Sequence, residues 1–388
     1  MIPIDPHTLR AHYSTYLREG RILLTGHSHQ AWPDVAREGQ LRAWDDAAEL
    51  VDDKWERAFE VADVVRHAIA THIGAHKDEI ALGSSTHELV TRFLSALDLR
   101  ARPHLVTTSG EFHSMHRQLM RLAEAGIAIE MVPWHPVDTL AERLAGKVRD
   151  HTAALLVSTV LFESASIVPH LRVAIDAAHR HGAEVLLDAY HAFGVLPFTL
   201  TELGPDPIFV TAGGYKYAQW GEGNCFLRVP PASSMRPIYT GWFSDFAHLA
   251  EMRNSGTIGY GTRGADRFAG STYDPTSHYR AQAVIDFFER HELRLPRLRA
   301  LSLHQTGRIL DHLDGFDVLT PREERSRAGF VALRIPNATH VVSALRERGV
   351  YTDSRGDVLR LGPAPYVSQD ELDAAIAHLR EIIQLVPR

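Results

Sequence analysis

Cysteine is almost absent from this chain, which has one, Cys225, among 388 residues. A single cysteine excludes an internal disulfide and fits a reducing compartment. Long apolar runs are missing too, so no segment is predicted to span a bilayer. The N-terminus, MIPIDPHTLRAHYSTYLREG, has no basic start followed by an apolar core, which excludes a typical secretory signal. We therefore predict a cytoplasmic protein without a membrane partner.

Clusters of basic residues are lacking as well. The 41 lysines and arginines are outnumbered by 48 aspartates and glutamates, and the net charge of -7 disfavours nucleic acid as a partner. The 24 histidines are scattered, without HExxH or a Cys/His grouping at metal-ligand spacing, so we predict no metal site. The composition is that of a globular protein, and the length predicts two domains or one large domain with a smaller appendage.

The middle of the chain alternates between apolar strands and amphipathic helices. The predicted strands include HLVTT, AIEMVPW, ALLVSTVLF and EVLLD, separated by helices over 114–124, 137–148 and 171–181. Continuous apolar strands between helices are typical of a parallel sheet buried on both faces. We therefore predict an α/β fold with a large domain, a mainly parallel sheet sandwiched by helices. Ligands bind at the carboxyl ends of such strands. The candidates at those ends are Ser85, Phe112, Glu163, Asp188 and Lys216.

The sequence changes character after Gly241. The stretch from there to Tyr279 is rich in Gly, Ser, Thr and Asp and predicts an active-site or interface loop. A long helical stretch from Tyr279 to Leu313 and then a strand–strand–helix–strand–helix order are predicted, which suits a smaller α+β domain. The predicted organisation is an N-terminal segment (1–33) packing with the small domain, a large cofactor-binding domain (34–275) and the small C-terminal domain (276–388).

Two residues between Val185 and Arg228, an aspartate and a lysine, indicate which kind of reaction the protein could catalyse. VLLDAYHAFG contains an apolar strand that closes on Asp188, and FVTAGGYKYAQWGEGNCFLRV places Lys216 in a glycine-rich turn between two tyrosines. An enzyme that uses pyridoxal phosphate needs such a pair, because a carboxylate keeps the pyridine nitrogen protonated and a lysine holds the aldehyde as a Schiff base. Taken singly, Asp188 as a turn cap and Lys216 as a solvated loop lysine are the alternatives.

A second candidate feature is the turn in EIALGSSTHELVTRFLSALDL. Ser84, Ser85 and Thr86 come at the start of a predicted helix, where backbone N–H groups and the helix dipole favour an anion. The alternative is a plain helix N-cap assisted by Glu88.

The order of these pieces resembles a known family. SST at a helix start, EFHS after a strand, DAYHAFG, GGYKY, GW, GST and LRLGPAP are similar to fold type I pyridoxal-phosphate enzymes of the class V aminotransferase group, and within them to kynureninase. The resemblance covers nearly the whole chain, and its most specific pieces are DxxHAxG with YKY downstream, GAHKDEIAL and RxGPxP. It implies pyridoxal phosphate as the cofactor and a homodimer with the site at the subunit interface.

The resemblance also implies roles for individual residues. Lys216 would be the Schiff-base lysine and proton shuttle, Asp188 the partner of the pyridinium nitrogen, and Arg360 the residue that binds the substrate α-carboxylate with its planar fork. The other implied residues are His191 and Phe112 at the cofactor ring, Ser85, Thr86, Ser114 and Tyr215 at the phosphate, Trp242 and Thr272 from the neighbouring subunit, and His27 and Ser28 at the substrate. Tyr215 is also implied in catalysis.

Several of these residues have structural alternatives. Phe112 could be a core aromatic, Trp242 an interface aromatic and Thr272 a turn residue. Arg360 could form a surface ion pair with Asp357, and Cys225 is expected to be a buried, inert thiol.

Three departures from the kynureninase pattern bear on the substrate. GHSHQ, with His27 and His29, stands where kynureninases usually carry an Asn-Ser pair. Met115 replaces an aspartate, and STYDP near Thr272 replaces GTPP or SNPP.

The reaction predicted from the resemblance is hydrolysis of the Cβ–Cγ bond of kynurenine or a related γ-keto amino acid, with release of alanine. A class V aminotransferase, lyase or epimerase acting on another amino acid is the main alternative. Cysteine desulfurase chemistry is disfavoured because it needs a cysteine in a mobile loop, whereas Cys225 lies in an apolar strand. A non-catalytic relative that serves as a binding or scaffold protein is a further alternative, against which Lys216 and Asp188 argue.

Overall fold

The computed structural model describes residues 4–204, 207–248 and 256–385. Its helices are α1 (Pro6–Arg10), α2 (Val35–Leu50), α3 (Lys54–Ile73), α4 (Thr86–Ser95), α5 (His113–Glu124), α6 (Leu140–Ala145), α7 (Leu171–Arg180), α8 (Leu200–Leu203), α9 (Thr276–Arg290), α10 (Leu295–Asp311), α11 (Ala338–Glu347) and α12 (Gln369–Leu385). Within those ranges, none of the helices combines the length and apolar character that a membrane crossing requires.

The strands form a large central sheet and smaller sheets elsewhere. They are β1 (Ile22–Leu23), β2 (Ile80–Gly83), β3 (His104–Thr108), β4 (Ala128–Val132), β5 (Thr152–Ser158), β6 (Glu184–Asp188), β7 (Ile208–Gly213), β8 (Cys225–Arg228), β9 (Asp317–Val318), β10 (Val331–Arg334), β11 (Val350–Tyr351), β12 (Asp353–Arg355) and β13 (Val358–Leu361). The central sheet has seven strands in the order β2-β8-β7-β6-β5-β3-β4. The strands from β7 to β4 are parallel, and β8 runs antiparallel to both of its neighbours.

Both faces of this sheet are buried, because successive side chains of each strand point to opposite sides. On β6, Val185 and Leu187 join the hydrophobic cluster that includes α3, α6 and α7. Leu186, between them, joins the cluster that includes α4 and α5. The predicted α/β class, with a mainly parallel sheet sandwiched by helices and a smaller C-terminal unit, is confirmed.

The C-terminal unit has its own hydrophobic core. An antiparallel sheet in the order β12-β13-β10-β9 packs with α10, α11 and α12 around residues such as Leu333 and Leu359. N-terminal residues, among them Leu9 and Tyr13, belong to the same cluster, and β1 pairs in parallel with β11. The boundaries proposed at 33/34 and 275/276 stay predictions.

The helical stretch predicted from Tyr279 to Leu313 consists of two helices with a break between them. α9 ends at Arg290 and α10 begins at Leu295, with Glu292 between them at a φ of 51°. Pro296 lies in the first turn of α10, where its missing N–H has no helical partner to lose. A proline in that place starts a new helix and does not continue the previous one.

The stretch predicted as a loop after Gly241 is irregular chain in its described part. It contains short 3₁₀ helices at Trp242–His248 and Gly264–Phe268. Residues 249–255 of the predicted loop lie outside the described residues.

Helices α2 and α9 approach each other closely at a glycine. A Cβ on Gly39 would lie 2.5 Å from the carbonyl oxygen of Tyr279 in α9. The carbonyl oxygen belongs to the backbone of α9, and a Cβ is fixed rigidly to the backbone of α2, so the contact can be relieved only by separating the helices.

We predict that Gly39→Ala lowers the free energy of unfolding by about 1–3 kcal/mol through overpacking. Gly307→Ala in α10 is the matched control, since the nearest atom to its added Cβ would be Arg327 Nη2 at 3.4 Å. Higher helix propensity should make that change neutral or stabilising by up to about 1 kcal/mol. Chemical denaturation measures both variants, and equal stability of the two would contradict the proposed contact.

Candidate active site

Two neighbouring strands bring the predicted aspartate and lysine to one edge of the sheet. β6 ends at Asp188 and pairs in parallel with β7, so that Asp188 lies beside Thr211. The turn that carries Lys216 begins directly after β7 ends at Gly213. Parallel pairing therefore places the two residues at adjacent carboxyl ends, where ligands bind in sheets of this kind.

The turn that holds Lys216 is closed by backbone hydrogen bonds. Gly214 N donates to Asn224 O at 2.8 Å, and Trp220 N donates to Gly214 O at 2.8 Å. A Cβ on Gly214 would lie 2.2 Å from the Trp220 ring, so only glycine allows this approach. The lysine is thus presented by a defined turn whose glycine permits the Trp220 contact.

Lys216 is buried, with 8% of its surface exposed. Its Nζ lies 2.7 Å from His191 Nε2, 4.8 Å from the centre of the Tyr190 ring and 5.4 Å from that of Phe112. Burial lowers the pKa of Lys216 to about 7, although the negative charge of Asp188 opposes that shift. A neutral amine is the form that attacks an aldehyde, so these surroundings suit a Schiff-base lysine.

Asp188 has one oxygen engaged in the turn. Its Oδ1 accepts from Tyr190 N at 2.8 Å, which is the turn-cap geometry considered as an alternative. Burial raises the pKa of Asp188, while the Tyr190 N–H and the positive charge of Lys216 lower it. The cap and the cofactor role are compatible, because a carboxylate has a second oxygen that could accept from a protonated ring nitrogen.

The serine-rich turn has the geometry of a helix N-cap. Ser85 Oγ accepts from Glu88 N at 3.2 Å, and Glu88 Oε2 accepts from Ser84 Oγ at 2.7 Å. Thr86 Oγ1 lies 3.9 Å from Cys225 Sγ, which in turn lies 3.7 Å from Tyr190 Oη. The helix start is therefore connected to the lysine site through Tyr190. Ser85, Thr86 and Ser114 as phosphate ligands stay predictions.

Arg360 lies inside the protein, with 1% of its surface exposed, and pairs with Asp353. The alternative of a surface ion pair with Asp357 is therefore wrong. His27 is fully buried and also contacts Asp353, with Nε2 at 2.8 Å from Oδ1. Ser28 Oγ donates to Thr25 O at 3.3 Å. Substrate contacts of Arg360, His27 and Ser28 stay predictions.

Tyr215 and Met115, one of the residues that differ from the kynureninase pattern, lie in different surroundings. Tyr215 is half-buried, edge-on to His29 with ring centres 5.1 Å apart, and burial raises its pKa to about 12. Its roles at the phosphate and in catalysis stay predictions. Met115 packs in the hydrophobic cluster of α4 and α5.

Trp242 and Thr272 lie together but apart from the lysine. Trp242 Nε1 donates to Thr272 Oγ1 at 3.2 Å. Thr272 lines a cavity of about 890 Å³ that also contacts Ser84 and Phe243. Among the described residues that form its lining, Lys216 and Asp188 do not occur. The contribution of Trp242 and Thr272 to a neighbouring subunit's site stays a prediction.

A buried carboxylate, Glu111, is a site residue that the sequence analysis missed. Its Oε2 accepts from Ser158 Oγ at 2.6 Å, and its Oε1 accepts from Thr108 Oγ1 at 2.9 Å and Ser158 N at 3.1 Å. Ser158 pairs directly with Asp188 across β5 and β6. Burial, reinforced by the charge of Asp188, raises the pKa of Glu111 to about 7. Its place directly after a strand, in EFHS, was the available signal.

These residues fit pyridoxal phosphate. Asp188 could hold a protonated ring nitrogen, Lys216 could hold the aldehyde as a Schiff base, and Phe112 and His191, which both lie near Lys216 Nζ, could line the ring. His191 supports this fit, because its buried Nδ1 has no hydrogen-bond partner among the described residues.

Comparisons with known proteins bear on the family and the cofactor. Residues 297–379 match the family model described as the kynureninase C-terminal domain. A kynureninase of Bacillus cereus is 26% identical over 95% of this chain and 90% of its own length. An uncharacterized aminotransferase of Bacillus subtilis (strain 168), YcbU, is 24% identical over 83% of this chain and 84% of its own length.

Solved structures share the fold. A mutant of the enzyme C-DES with glycine covalently linked to the pyridoxal-phosphate cofactor has a TM-score of 0.81 and 18% identity, covering 95% of this chain and 98% of its own. The cysteine desulfurase CsdA of Escherichia coli has a TM-score of 0.80 and 16% identity, covering 99% of both chains. The resemblance to fold type I enzymes of the class V group, with kynureninases among the relatives, is confirmed. Pyridoxal phosphate is supported as the cofactor.

We predict that Glu111→Gln stabilises the protein above pH 7 and less so at lower pH. An acid whose pKa is raised on folding binds its proton more tightly in the folded state, so stability is lost as the pH rises from 4.5 to about 7. Glutamine removes that loss, which amounts to up to about 3 kcal/mol at the top of the window.

Denaturation at several pH values between 5 and 8 measures this difference. Glu130→Gln is the control, because a hydrogen bond from Lys147 lowers the pKa of that partly exposed carboxyl and the variant should show no gain at high pH. A Glu111→Gln difference independent of pH would contradict the prediction.

Proposed function

We propose that this chain is a pyridoxal-phosphate-dependent, kynureninase-like hydrolase. It would cleave the Cβ–Cγ bond of kynurenine or a related γ-keto amino acid and release alanine. The observation that carries the proposal is the placement of a buried Lys216 amine and the Asp188 carboxylate at adjacent strand ends, within electrostatic reach of each other, in a chain whose C-terminal region matches the kynureninase family model.

Asp188, Lys216 and Arg360 would each have a separate role in the reaction. When bound, the cofactor supplies an electron sink for the pair of electrons left at Cα. Asp188 would keep the ring nitrogen protonated, and the Lys216 amine would take the Cα proton and return protons to the product. Arg360 would bind the α-carboxylate. Water adds to the γ-carbonyl, the Cβ–Cγ bond breaks, and protonation of Cβ gives alanine beside the new acid.

An aminotransferase, lyase or epimerase reaction on another amino acid is the second candidate. It is favoured by the similarity to the uncharacterized aminotransferase of Bacillus subtilis. Cysteine desulfurase chemistry is not proposed, although neighbours in fold carry that name. Cys225 is 5% exposed within β8, where a substrate sulfur cannot reach it.

We also propose that the active unit is a homodimer, with Trp242 and Thr272 contributing to the neighbouring site. The proposed dimer is supported by an exposed group of large apolar residues around the 3₁₀ helix at Trp242–His248, because such patches mark interfaces. The group consists of Ile238, Tyr239, Trp242, Phe246 and Ile258.

Phe246→Asp should therefore convert the dimer to monomer and lower cofactor retention. Val173→Asp on α7 is the matched control, because Val173 is 41% exposed and Phe246 44%. Sedimentation velocity gives the mass of each variant. A monomeric parent protein, or a Phe246→Asp variant that stays dimeric with normal cofactor content, would refute this interface.

Incubation of the purified holoenzyme with L-kynurenine and 3-hydroxykynurenine tests the reaction. We expect one alanine and one aryl acid per substrate consumed, without an added amino acceptor. Turnover that requires an oxo acid would establish an aminotransferase instead. A change in the visible absorbance of the bound cofactor without alanine release would reject the hydrolase and spare the cofactor.

Lys216→Ala and Asp188→Asn serve as the internal controls of that assay. Lys216→Ala should retain the cofactor only loosely and lose turnover by several orders of magnitude, because it loses the covalent anchor and the Cα base. Asp188→Asn should still bind the cofactor but fail to remove the Cα proton. Near-normal turnover in either variant would refute the role given to that residue.

A further inference from the structure

The hairpin of β12 and β13 sets Asp353 directly opposite Arg360. The two residues are register partners across the antiparallel pair. Arg360 Nε donates to Asp353 Oδ1 at 3.0 Å, and Nη2 donates to Asp353 Oδ2 at 2.5 Å. A third contact, from Nη1 to Phe162 O at 3.0 Å, holds the far side of the guanidinium.

Arg360 has N–H groups that these three contacts do not use. A guanidinium carries five N–H groups, and the three contacts use one each on Nε, Nη1 and Nη2. One N–H therefore remains on each terminal nitrogen. When Phe162 O accepts the Nη1 hydrogen that points away from Nη2, the two remaining N–H groups are parallel, and a carboxylate binds such a pair in a bidentate manner.

Asp353 has a second partner, His27, at the oxygen that Arg360 Nε also contacts. His27 Nε2 lies 2.8 Å from Asp353 Oδ1, and the His27 ring stacks on Phe330 with centres 4.6 Å apart. Burial and the charge of Arg360 lower the pKa of His27 to about 4, so the neutral ring donates its Nε2 hydrogen. Asp353 stays ionised, because hydrogen bonds from His27 and Arg360 outweigh its burial and keep its pKa well below the usual range.

We propose that Asp353, held in turn by His27, is a positioning residue that fixes the Arg360 guanidinium with its two remaining N–H groups available to the substrate α-carboxylate. The inference rests on the proposed function, because it takes an amino acid as the substrate. It assigns a role to Asp353, and it makes His27 act through Asp353. A rival arrangement, in which Asp353 competes with the substrate for Arg360, predicts the opposite effect of removing the carboxylate.

The test compares two ligands that differ by one carboxylate. Spectrophotometric titration of the pyridoxal-phosphate-loaded protein gives the Kd for L-alanine and for ethylamine, which lacks the α-carboxylate. The ratio of the ethylamine Kd to the L-alanine Kd measures the preference for the carboxylate and requires no turnover. A merely structural change would weaken both ligands and leave the ratio unmoved.

Asp353→Asn should lower this ratio by about 10- to 100-fold, the effect of losing one charge-assisted hydrogen bond, with the ethylamine Kd little changed. Asp357→Asn is the matched control, because Asp357 is an exposed acid in the turn of the same hairpin and its loss should leave the ratio unchanged. His27→Phe, which keeps the ring stack and removes the donor, should also lower the ratio, and His27→Gln should restore part of it. These His27 variants carry the test if Asp353→Asn does not fold.

An unchanged ratio in Asp353→Asn would overturn the inference, and an increased ratio would show that Asp353 competes with the substrate. A parent protein without carboxylate preference would overturn it as well. If the parent protein prefers L-alanine but does not cleave kynurenine, the proposed reaction fails while the role of Asp353 is still decided by the ratios.

Discussion

The burial of the Lys216 amine is the constraint on which the site depends. Removing a charged ammonium from water costs several kcal/mol, so the amine must be neutralised or paired. In this protein the end of β6 and the turn that follows it provide partners for the amine. Asp188 provides a nearby negative charge, and His191 Nε2 lies 2.7 Å from Lys216 Nζ. The glycine turn then fixes the amine at the position where an aldehyde would be bound.

Arg360 is also a buried basic residue, but its charge is accommodated differently from that of Lys216. A guanidinium does not lose its proton in proteins, so burial cannot neutralise it as burial neutralises a lysine. It needs a permanent partner, and the β12–β13 hairpin provides Asp353 at the facing position. The structure thus combines one buried basic residue whose pKa is lowered, Lys216, with another that stays charged beside a permanent partner, Arg360.

Much of the fold was predictable, because apolar strands and amphipathic helices leave local patterns. EVLLD, for instance, was predicted as a strand and forms β6 without change. The break between α9 and α10 was missed, since the helical pattern continues across it and the signal, Pro296, was not used. The Asp353–Arg360 pair also had a signal. Gly356 and Asp357 are two turn residues between strand-like runs, a pattern that predicts a hairpin and pairs 353 with 360.

By itself, the sequence determined which residue types are available and where along strands, turns and helix starts they occur, because those features depend on neighbouring residues. It therefore pointed to Asp188, Lys216 and the serine turn. Only the tertiary structure decided which of them meet. The pairing of β5 with β3 and β6 brings Glu111 to Ser158 and Ser158 to Asp188, and the packing of the N-terminal segment brings His27 to Asp353. Contacts between residues so distant in the chain depend on strand order and packing, which local periodicity does not encode.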